Sequence, residues 1–303
     1  MCKYPVHQPV LLAESLASLA IRPAGTYVDV TFGQGGHARA ILQQLQGGRL
    51  LAFDQDQDAA VAAHQIQQAP FTFIRANAKF MQPFLAFHGV DAVDGIFADV
   101  GISSHQLDTA DRGFATRLDA RLDMRMDQEN TCTAQHVVNT YAVEQLVQLL
   151  QNYGEIRPAY PVARAIDKAR RQQAIRTTGE LKGVVMPFAP RHKCAQYLAR
   201  VFQAFRIEVN DELGALRDIL RQSAQLLKPG GRLVVIAYHS LEDRLVKRFM
   251  RTGNFTGEPQ QDVYGHLIRP LQAVGRKPIR PSEQEVQANP RARSAKLRVA
   301  ERL

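Results

Sequence analysis

The sequence is poor in cysteine and contains no long apolar run. Three cysteines, Cys2, Cys132 and Cys194, lie far apart, and no CxxC pair occurs among the 303 residues. This odd, scattered set predicts neither a disulfide framework nor a cysteine zinc site, and it favours a reducing, cytoplasmic setting. Because no apolar stretch reaches about 18 residues, no membrane span is expected. Pro9 and Glu14 interrupt the stretch in which a secretion signal needs a continuous apolar core, so no such signal is expected.

Acidic residues are in the minority. The chain has 38 lysines and arginines against 29 aspartates and glutamates, a formal net charge of +9. Residues 270–303 hold eight basic and three acidic residues, and a second basic stretch runs from Arg157 to Arg176. Local basic patches favour a polyanionic partner, most often nucleic acid. A merely solvated basic tail is the alternative.

Strand-like segments alternate with helical segments and glycine turns through the first hundred residues. The predicted strands are "TYVDVTF", "RLLAFD", "FTFIRA" and "DGIFADVG". This alternation is typical of an α/β fold with a doubly wound parallel sheet. The pattern returns near the end, where residues 210–227 predict a helix with an Asn or Asp cap, "KPGG" predicts a turn, and "RLVVIAYHS" predicts a strand.

The middle of the chain has a different pattern. From residue 133 to about residue 205 the apolar residues recur at helical spacing, and no convincing strand occurs there. The sequence therefore predicts a sheet domain formed by 1–104 and 206–303 and split by a helical insertion, 105–205. The last 35 residues contain four prolines, and they are expected to be an extended basic tail or to be ordered only against a partner.

The segment "YVDVTFGQGGHARAIL" places glycines between a predicted strand and a predicted helix. The spacing of Gly33, Gly35 and Ala38 fits a dinucleotide fingerprint. Together with Gly36, it also fits the turn with which methyltransferases hold S-adenosylmethionine. These glycines allow the backbone to come close to a ligand, but a turn without a ligand is the third interpretation.

Three acidic residues near this turn favour one of the two cofactors. Asp29 in the first strand would repel a pyrophosphate and attract the sulfonium and ammonium of S-adenosylmethionine. Asp54 ends the second strand and can accept the ribose hydroxyls of either cofactor. Asp99 ends the fourth strand, at the edge where such sheets bind ligands. Together with the late segment "LLKPGGRLVVI", these residues favour S-adenosylmethionine over NAD.

Eight segments, in order along nearly the whole chain, resemble those of the bacterial 16S ribosomal RNA (cytosine-N4) methyltransferases, the RsmH or MraW family. The combination of "RGF…LDMRMD", "HSLEDR" and "NPRARS" is far more specific for this family than the glycine turn is. The segments are "HQPVLLAESL", "YVDVTFGQGGHARAIL", "LLAFDQD", "GIFADVGISSHQLDTADRGF", "LDMRMD", "FQAFRIEVNDEL", "LKPGGRLVVIAYHSLEDRLVKRF" and "NPRARSAKLRVAE".

The resemblance implies a class I methyltransferase fold, split by a helical domain that recognises the substrate. It also implies methyl transfer from S-adenosylmethionine to the exocyclic N4 of one cytosine in the decoding (P-site) region of 16S ribosomal RNA, within the small ribosomal subunit. A monomer and a homodimer both stay open. Cofactor contacts are implied at Gly35, Gly36, His37, Asp54, Asp99 and Gln106.

The sequence departs from the family pattern at several places. The family's aromatic cofactor contact after the third strand corresponds to Ala78, and Phe80, two residues on, is the candidate replacement. "SSPQLD" becomes "SSHQLD" at His105, and "SFHSLED" becomes "AYHSLED" with Ala237 and Tyr238. "HPATR" becomes "QYLAR", so the family's His and Pro are missing there.

Asp99 is the expected catalytic residue, because relatives that methylate exocyclic amines use an acid or amide after the fourth strand. It would help to hold the cofactor or the amine, with a structural strand-end role as the alternative. His239 is expected to line the cytosine pocket. For Ser240 and Asp243, capping of the following helix is favoured over catalysis. No catalytic metal is expected, since no second His or Cys lies at ligand spacing from His37.

The RNA substrate must extend beyond one nucleotide, because the target base has to leave its stack. The basic tracts 157–176 and 276–298 are candidates to contact its phosphates, and "NPRARSAKLR" is expected to contact RNA or a second subunit. Two other classes of function stay open. One is another S-adenosylmethionine enzyme acting on nucleic acid or a small molecule, and the other is a non-enzymatic RNA-binding assembly factor.

Overall fold

The computed structural model describes residues 9–68 and 70–303, so Cys2 lies outside the described residues. The chain forms two compact units. The first comprises the residues up to Gly101 together with Leu213–Leu303, and the second is Ile102–Glu212. The insertion expected at 105–205 lies inside the second unit, which begins earlier and ends later than the sequence indicates.

The secondary structure comprises seven strands and thirteen α-helices within the described ranges. The strands are β1 (Thr26–Asp29), β2 (Arg49–Asp54), β3 (Phe71–Arg75), β4 (Val93–Asp99), β5 (Leu227–Ala237), β6 (Leu271–Ala273) and β7 (Lys296–Arg302). The helices are α1 (Leu12–Leu19), α2 (Gly36–Gln44), α3 (Gln57–Ala63), α4 (Met81–Phe87), α5 (Ser104–Asp108), α6 (Ala134–Thr140), α7 (Val143–Asn152), α8 (Tyr160–Gln172), α9 (Thr178–Val185), α10 (Cys194–Asn210), α11 (Glu212–Leu226), α12 (Ser240–Thr252) and α13 (Glu283–Ala288). Among these described helices, none has the length and apolar content needed to cross a membrane.

All seven strands form one sheet in the order β3-β2-β1-β4-β5-β7-β6. Neighbouring strands from β3 to β5 are parallel, whereas β7 is antiparallel to both β5 and β6. The central strands are apolar on both faces, as parallel strands covered by helices must be, and Tyr27, Phe53 and Phe97 are fully buried in them. Parallel pairing brings the carboxyl ends of β1, β2, β4 and β5 to one edge of the sheet, here called the carboxyl edge.

The C-terminal residues belong to the sheet, which corrects the expectation of an extended tail. β7 lies between β5 and β6 and pairs with both, with Val234 opposite Val299 and Leu271 opposite Arg302. Leu297 and Ala300 are fully buried. The basic residues of this segment indicated a tail, but the apolar residues of "KLRVAER" take the buried positions of a strand.

Two local predictions near the second half of the sheet differ from the structure in detail. The "KPGG" segment lies within β5, where the pairing with β4 shifts register between Val93 and Gly95. The helix expected from residue 210 begins at Glu212 instead. Asn210 ends α10, and its side chain accepts a hydrogen bond from the Met126 backbone and donates one to the Met124 carbonyl. Asn210 therefore anchors a loop rather than capping α11.

The second unit is helical and has a core of its own. Its residues, all within the described part of the chain, contain no named strand. Helices α6 to α10 contribute side chains such as Val137, Leu146 and Phe205 to this core. The "RGF…LDMRMD" segment is held by Arg112, whose buried guanidinium donates to the carbonyls of Arg125 and Met126.

An ion cluster joins β7 to α12. The Asp243 carboxylate accepts hydrogen bonds from Arg298 at 2.6 Å and Lys296 at 3.1 Å, and the three side chains are at most 27% exposed. We expect Asp243→Asn to lower the free energy of unfolding by about 2 kcal/mol, since charged hydrogen bonds are lost in a largely buried setting. Chemical denaturation at pH 7 measures the change.

The control is Asp218→Asn. Asp218 pairs with Arg221 at 3.0 Å, but the two side chains are 47% and 57% exposed, so a loss below about 0.5 kcal/mol is expected. Equal losses in the two variants would contradict a stabilising role for the Asp243 cluster.

Candidate active site

The glycine turn joins β1 to α2 at the carboxyl edge. Gly33 has φ of +56°, its N–H donates to Asp54 Oδ2 at 2.8 Å, and a β-carbon on it would meet no atom within 4 Å. Gly35 has φ of +76°, and a β-carbon there would lie 2.6 Å from the Phe32 ring. A β-carbon on Gly36 would collide with Pro9. Open space for a ligand therefore lies beside Gly33, whereas packing already requires glycine at the other two positions.

Asp29, at the end of β1, is fully buried. Its Oδ1 accepts the Thr31 N–H at 3.0 Å, and its Oδ2 is buried without a hydrogen-bond partner. Burial raises the pKa of Asp29 to about 7, and the negative charges of Asp99 and Asp54 raise it further against the opposing Thr31 hydrogen bond. A partnerless buried carboxylate oxygen is costly, and a cationic ligand would offset that cost.

Asp54, at the end of β2, is held by two backbone N–H groups. Gly33 donates to Oδ2, and Asp56 donates to Oδ1 at 2.9 Å. Burial raises the pKa of the Asp54 carboxyl to about 6, although both of these hydrogen bonds act in the opposite direction. The carboxylate is thus fixed beside the open face of the glycine turn, and its expected contact with the ribose stays a prediction.

Asp99, at the end of β4, has different neighbours on its two carboxylate oxygens. The Tyr238 hydroxyl donates to Oδ1 at 2.8 Å, and His37 Nδ1 lies 3.9 Å from Oδ2. The Asp99 backbone N–H donates to the Thr31 hydroxyl oxygen at 2.6 Å. Burial raises the pKa of Asp99 to about 7; the Tyr238 hydrogen bond lowers it, and the charge of Glu242 raises it. An acid with a pKa near 7 can take up and release a proton at neutral pH.

His37 lies beneath the turn. Its ring is buried, with Nε2 3.1 Å from the Val10 carbonyl oxygen and the ring centre 4.4 Å from that of Phe97. The structure therefore places His37 next to Asp99, so two of the predicted site residues are neighbours. A direct cofactor contact by His37 stays a prediction.

The start of α12 differs from the expected cap. The N-cap is His239, not Ser240, since the helix begins at Ser240 and the Glu242 N–H donates to His239 Nδ1 at 3.4 Å. Glu242 is buried, and its Oε2 accepts the N–H groups of Tyr238 and His239. His239 Nε2 faces Glu242 Oε1 at 3.0 Å. His239 thus has a structural role at the helix start, and its expected place in the cytosine pocket stays a prediction.

Two further predicted residues, Phe80 and Gln106, have other neighbours. Phe80 is 52% exposed after β3, with the Lys79 ammonium 5.2 Å from its ring centre, whereas Ala78 is buried. Gln106 belongs to the second unit, where its side chain and that of Ser103 form a capping box at the start of α5. Their cofactor contacts stay predictions.

Sequence reasoning missed two residues that hold the carboxylates. Thr31 lies between Asp29 and the Asp99 backbone, and Tyr238 donates to the Asp99 side chain. Tyr238 carried a signal, because it stands where the family has Phe, next to a strand expected at the same sheet edge. Thr31 is a hydroxyl residue two positions after a predicted site acid, a pattern too common to single out.

The site suits a cationic ligand. The carboxylates of Asp29, Asp54 and Asp99 end neighbouring parallel strands at this edge, and Asp29 Oδ2 is buried without a hydrogen-bond partner. A pyrophosphate would meet three like charges there, whereas a sulfonium and an ammonium would be attracted. With the glycine turn on the β3-β2-β1-β4-β5-β7-β6 sheet, these features define a class I S-adenosylmethionine-dependent methyltransferase.

Comparison with known proteins narrows this class. The sequence profile of the MraW methylase family matches residues 5–303. The ribosomal RNA small subunit methyltransferase H of Amoebophilus asiaticus is 58% identical over 296 residues, which cover 98% of this chain and 96% of that protein. The protein of the same name from Cytophaga hutchinsonii is 52% identical over 296 residues, covering 98% and 99%. A solved rRNA methylase from Streptococcus thermophilus aligns at 13% identity and a TM-score of 0.43, covering 100% of this chain and 99% of that one.

The chain belongs to the MraW methylase family. Membership confirms the class I fold and S-adenosylmethionine, rather than NAD, as the cofactor. It also confirms the resemblance found in the sequence motifs. Contact between the glycine turn and this cofactor stays a prediction.

Cofactor affinity should depend on pH. Asp29 and Asp99 have pKa values of about 7, so lowering the pH from 8 to 6 protonates them and removes the charge that attracts the sulfonium. If one proton is displaced on binding, the affinity for S-adenosylmethionine should fall about tenfold over this range. Calorimetric titration measures this. S-adenosylhomocysteine, whose sulfur is neutral, is the control and should show a smaller change; equal changes would contradict carboxylate recognition of the sulfonium.

The Tyr238 hydroxyl should set the titration of Asp99. Tyr238→Phe removes the hydrogen bond that lowers this pKa, so the pKa of Asp99 should rise by about one unit. The acidic limb of the pH–rate profile would shift to higher pH by the same amount. Tyr160→Phe, at an exposed tyrosine of the second unit, is the control. An unshifted profile in Tyr238→Phe would show that Asp99 does not titrate in the rate-limiting step.

Proposed function

We propose that this protein transfers a methyl group from S-adenosylmethionine to the exocyclic N4 of a cytosine in the P-site region of 16S ribosomal RNA, within the small ribosomal subunit. The observation that carries the proposal is the carboxyl-edge site, where Asp99 is fixed by Tyr238 beside the glycine turn. The names of the relatives give ribosomal RNA of the small subunit as the substrate class. The choice of cytosine N4 rests on the motif resemblance.

The residues of the site have distinct roles in this reaction. When bound, S-adenosylmethionine supplies a methyl group that the sulfonium charge makes electrophilic. Asp29 and Asp54 attract and hold the cationic ligand. Cytosine N4 is a poor nucleophile because its lone pair is delocalised into the ring, so its placement supplies much of the acceleration. Asp99 Oδ2 would accept an N–H of the amine and take the proton that the nitrogen loses when the methyl group passes from the sulfonium to the nitrogen and leaves a neutral thioether.

The substrate must present an unstacked cytosine to this edge. Basic side chains outside the site would bind the surrounding phosphates, and the helical second unit is proposed to recognise the RNA. Part of its basic tract is used internally, since Asp167 pairs with Arg170 and Arg171 at 3.0 Å each. The exposed basic residues of the tract outside these two ion pairs are Arg157, Arg164, Lys168 and Arg176. These side chains are better candidates for phosphate contact than Arg170, which also donates to the Val138 carbonyl.

The decisive experiment is methyl transfer from labelled S-adenosylmethionine to small ribosomal subunits from cells that lack this gene, followed by mass spectrometry of the nucleosides. The expected product is N4-methylcytidine at one P-site position. We expect Asp99→Asn to reduce the rate at least about a hundredfold, as general-base removal does, while calorimetry still detects cofactor binding.

Other outcomes would identify the competing functions. Transfer to a different base or to DNA would indicate another S-adenosylmethionine enzyme. RNA binding without any transfer would indicate a non-enzymatic assembly factor. Unchanged transfer by both Asp99→Asn and Asp99→Ala would contradict the role given to that carboxylate.

A further inference from the structure

The outward face of α12 carries a row of basic side chains. Arg244, Lys247, Arg248 and Arg251 are all exposed and lie at positions i, i+3, i+4 and i+7, so they follow one face of the helix. We call these four residues the α12 stripe. The acidic residues of the same helix are used elsewhere, because Glu242 is buried and Asp243 pairs with Lys296 and Arg298 of β7. The stripe therefore has no acidic neighbour on its own helix face.

Four like charges at these spacings repel one another and destabilise the helix. The two arginines nearest the helix end reach toward backbone carbonyls, Arg248 to Phe255 at 3.4 Å and Arg251 to Gly257 at 3.5 Å. Those contacts are long, and both acceptors are uncharged backbone carbonyl oxygens. A bound polyanion would relieve the repulsion, and α12 begins at the carboxyl edge, where β5 ends beside Asp99.

A short hairpin follows the helix. Gln261 and Leu267 pair as an antiparallel bridge, the Asp262 N–H donates to the His266 carbonyl at 2.9 Å, and the Ile268 N–H donates to the Gln260 carbonyl at 2.8 Å. The Asp262 carboxylate shapes the tip by accepting the N–H groups of Tyr264 and His266, each at 2.9 Å. These hydrogen bonds define residues 260–268 as a regular hairpin.

The hairpin displays apolar side chains to solvent. Val263 is 93% exposed and Tyr264 is 83% exposed, and Leu267 and Ile268 are also exposed. Such a cluster on a surface marks an interaction site more often than single exposed residues do. The base of the hairpin is anchored, since the Phe255 ring stacks on Phe249 at 5.0 Å and Asn254 Oδ1 accepts the Gly257 N–H.

We infer that the α12 stripe and the hairpin tip form an RNA-binding surface, in which the stripe contacts phosphates and Tyr264 stacks on a base. The inference rests on the proposed function, because it takes the ribosomal RNA substrate as the polyanion. Basic side chains that follow a backbone and an aromatic ring that stacks on bases are the two elements with which proteins bind single-stranded nucleic acid. A second copy of this chain would bring the same positive charge and is the poorer fit.

The stripe is tested by the salt dependence of binding. The triple variant Lys247→Gln, Arg248→Gln, Arg251→Gln should bind unmethylated small ribosomal subunits more weakly, and the slope of log affinity against log salt should become shallower by about 2, as expected for three lost phosphate contacts. The double variant Arg248→Lys, Arg251→Lys keeps the charges and should keep the slope. Arg22→Gln, at an exposed arginine on the loop after α1, is a control that should also keep it.

The hairpin is tested by a pair of substitutions at one position. Tyr264→Ala should weaken binding about tenfold, because a stacked base is lost, whereas Tyr264→Phe keeps a ring and should bind as the wild type does. Sedimentation velocity follows the oligomeric state of each variant, and calorimetry with S-adenosylmethionine verifies that the cofactor site is intact.

The outcomes separate this inference from the proposed function. If the wild type neither binds nor methylates small subunits, the proposed function fails and the inference fails with it. If the wild type methylates them but the triple variant and Tyr264→Ala keep wild-type affinity and slope, the inference alone is overturned. A change of oligomeric state in Tyr264→Ala with unchanged RNA affinity would also overturn it, by assigning the hairpin to self-association.

Discussion

The clustering of one buried and two half-buried carboxylates at one edge of a parallel sheet is the constraint on which the candidate active site depends. Asp29, Asp54 and Asp99 end three strands that run in the same direction, so the fold cannot separate them. Burial raises the pKa values of all three, to about 7, 6 and 7, and the negative charges of Asp54 and Asp99 raise that of Asp29 further. Such a site is unfavourable when empty of positive charge, and a sulfonium cofactor is the ligand that relieves it.

A small number of hydrogen bonds holds Asp29 and Asp99 in place. The Thr31 hydroxyl oxygen accepts the Asp99 backbone N–H, while its own backbone N–H donates to Asp29. Tyr238 reaches Asp99 from the end of β5, and Glu242 holds the backbone around Tyr238. Strand β5 and helix α12 thus hold Asp99 at the end of β4. Residues from the C-terminal half of the chain therefore position a site acid from the N-terminal half.

In the C-terminal half of the chain, some basic side chains pair with a carboxylate inside the fold and others are exposed on the surface. Asp243 of α12 neutralises Lys296 and Arg298, which lets a basic strand lie inside the sheet. The opposite face of the helix keeps its basic residues exposed. Net charge therefore says little about which arginines are available to a polyanion, because that depends on which helix face each residue occupies.

Most of the sheet could be predicted from the sequence alone. The first four strands are short apolar runs followed by turn residues, and β2 spans the predicted "RLLAFD" without change. Their order along the chain, with a glycine turn and acids at strand ends, was enough to place Asp29, Asp54 and Asp99 near one another. The eight motifs also indicated the family, because they are long and specific and occur in the family's order along the chain.

Only the tertiary structure decided the roles of residues whose partners are distant in the chain. β7 pairs with β5 across 59 or more residues, from Ala237 with Lys296 outwards. No local pattern reveals this pairing, and so the strand was predicted to be a basic tail. The Tyr238–Asp99 hydrogen bond spans 139 residues. The sequence by itself favoured the cofactor and determined the strands that end in Asp29, Asp54 and Asp99, because these depend on local periodicity and residue chemistry. Long-range pairing determined which arginines are buried, which residue caps α12 and which hydroxyl holds Asp99.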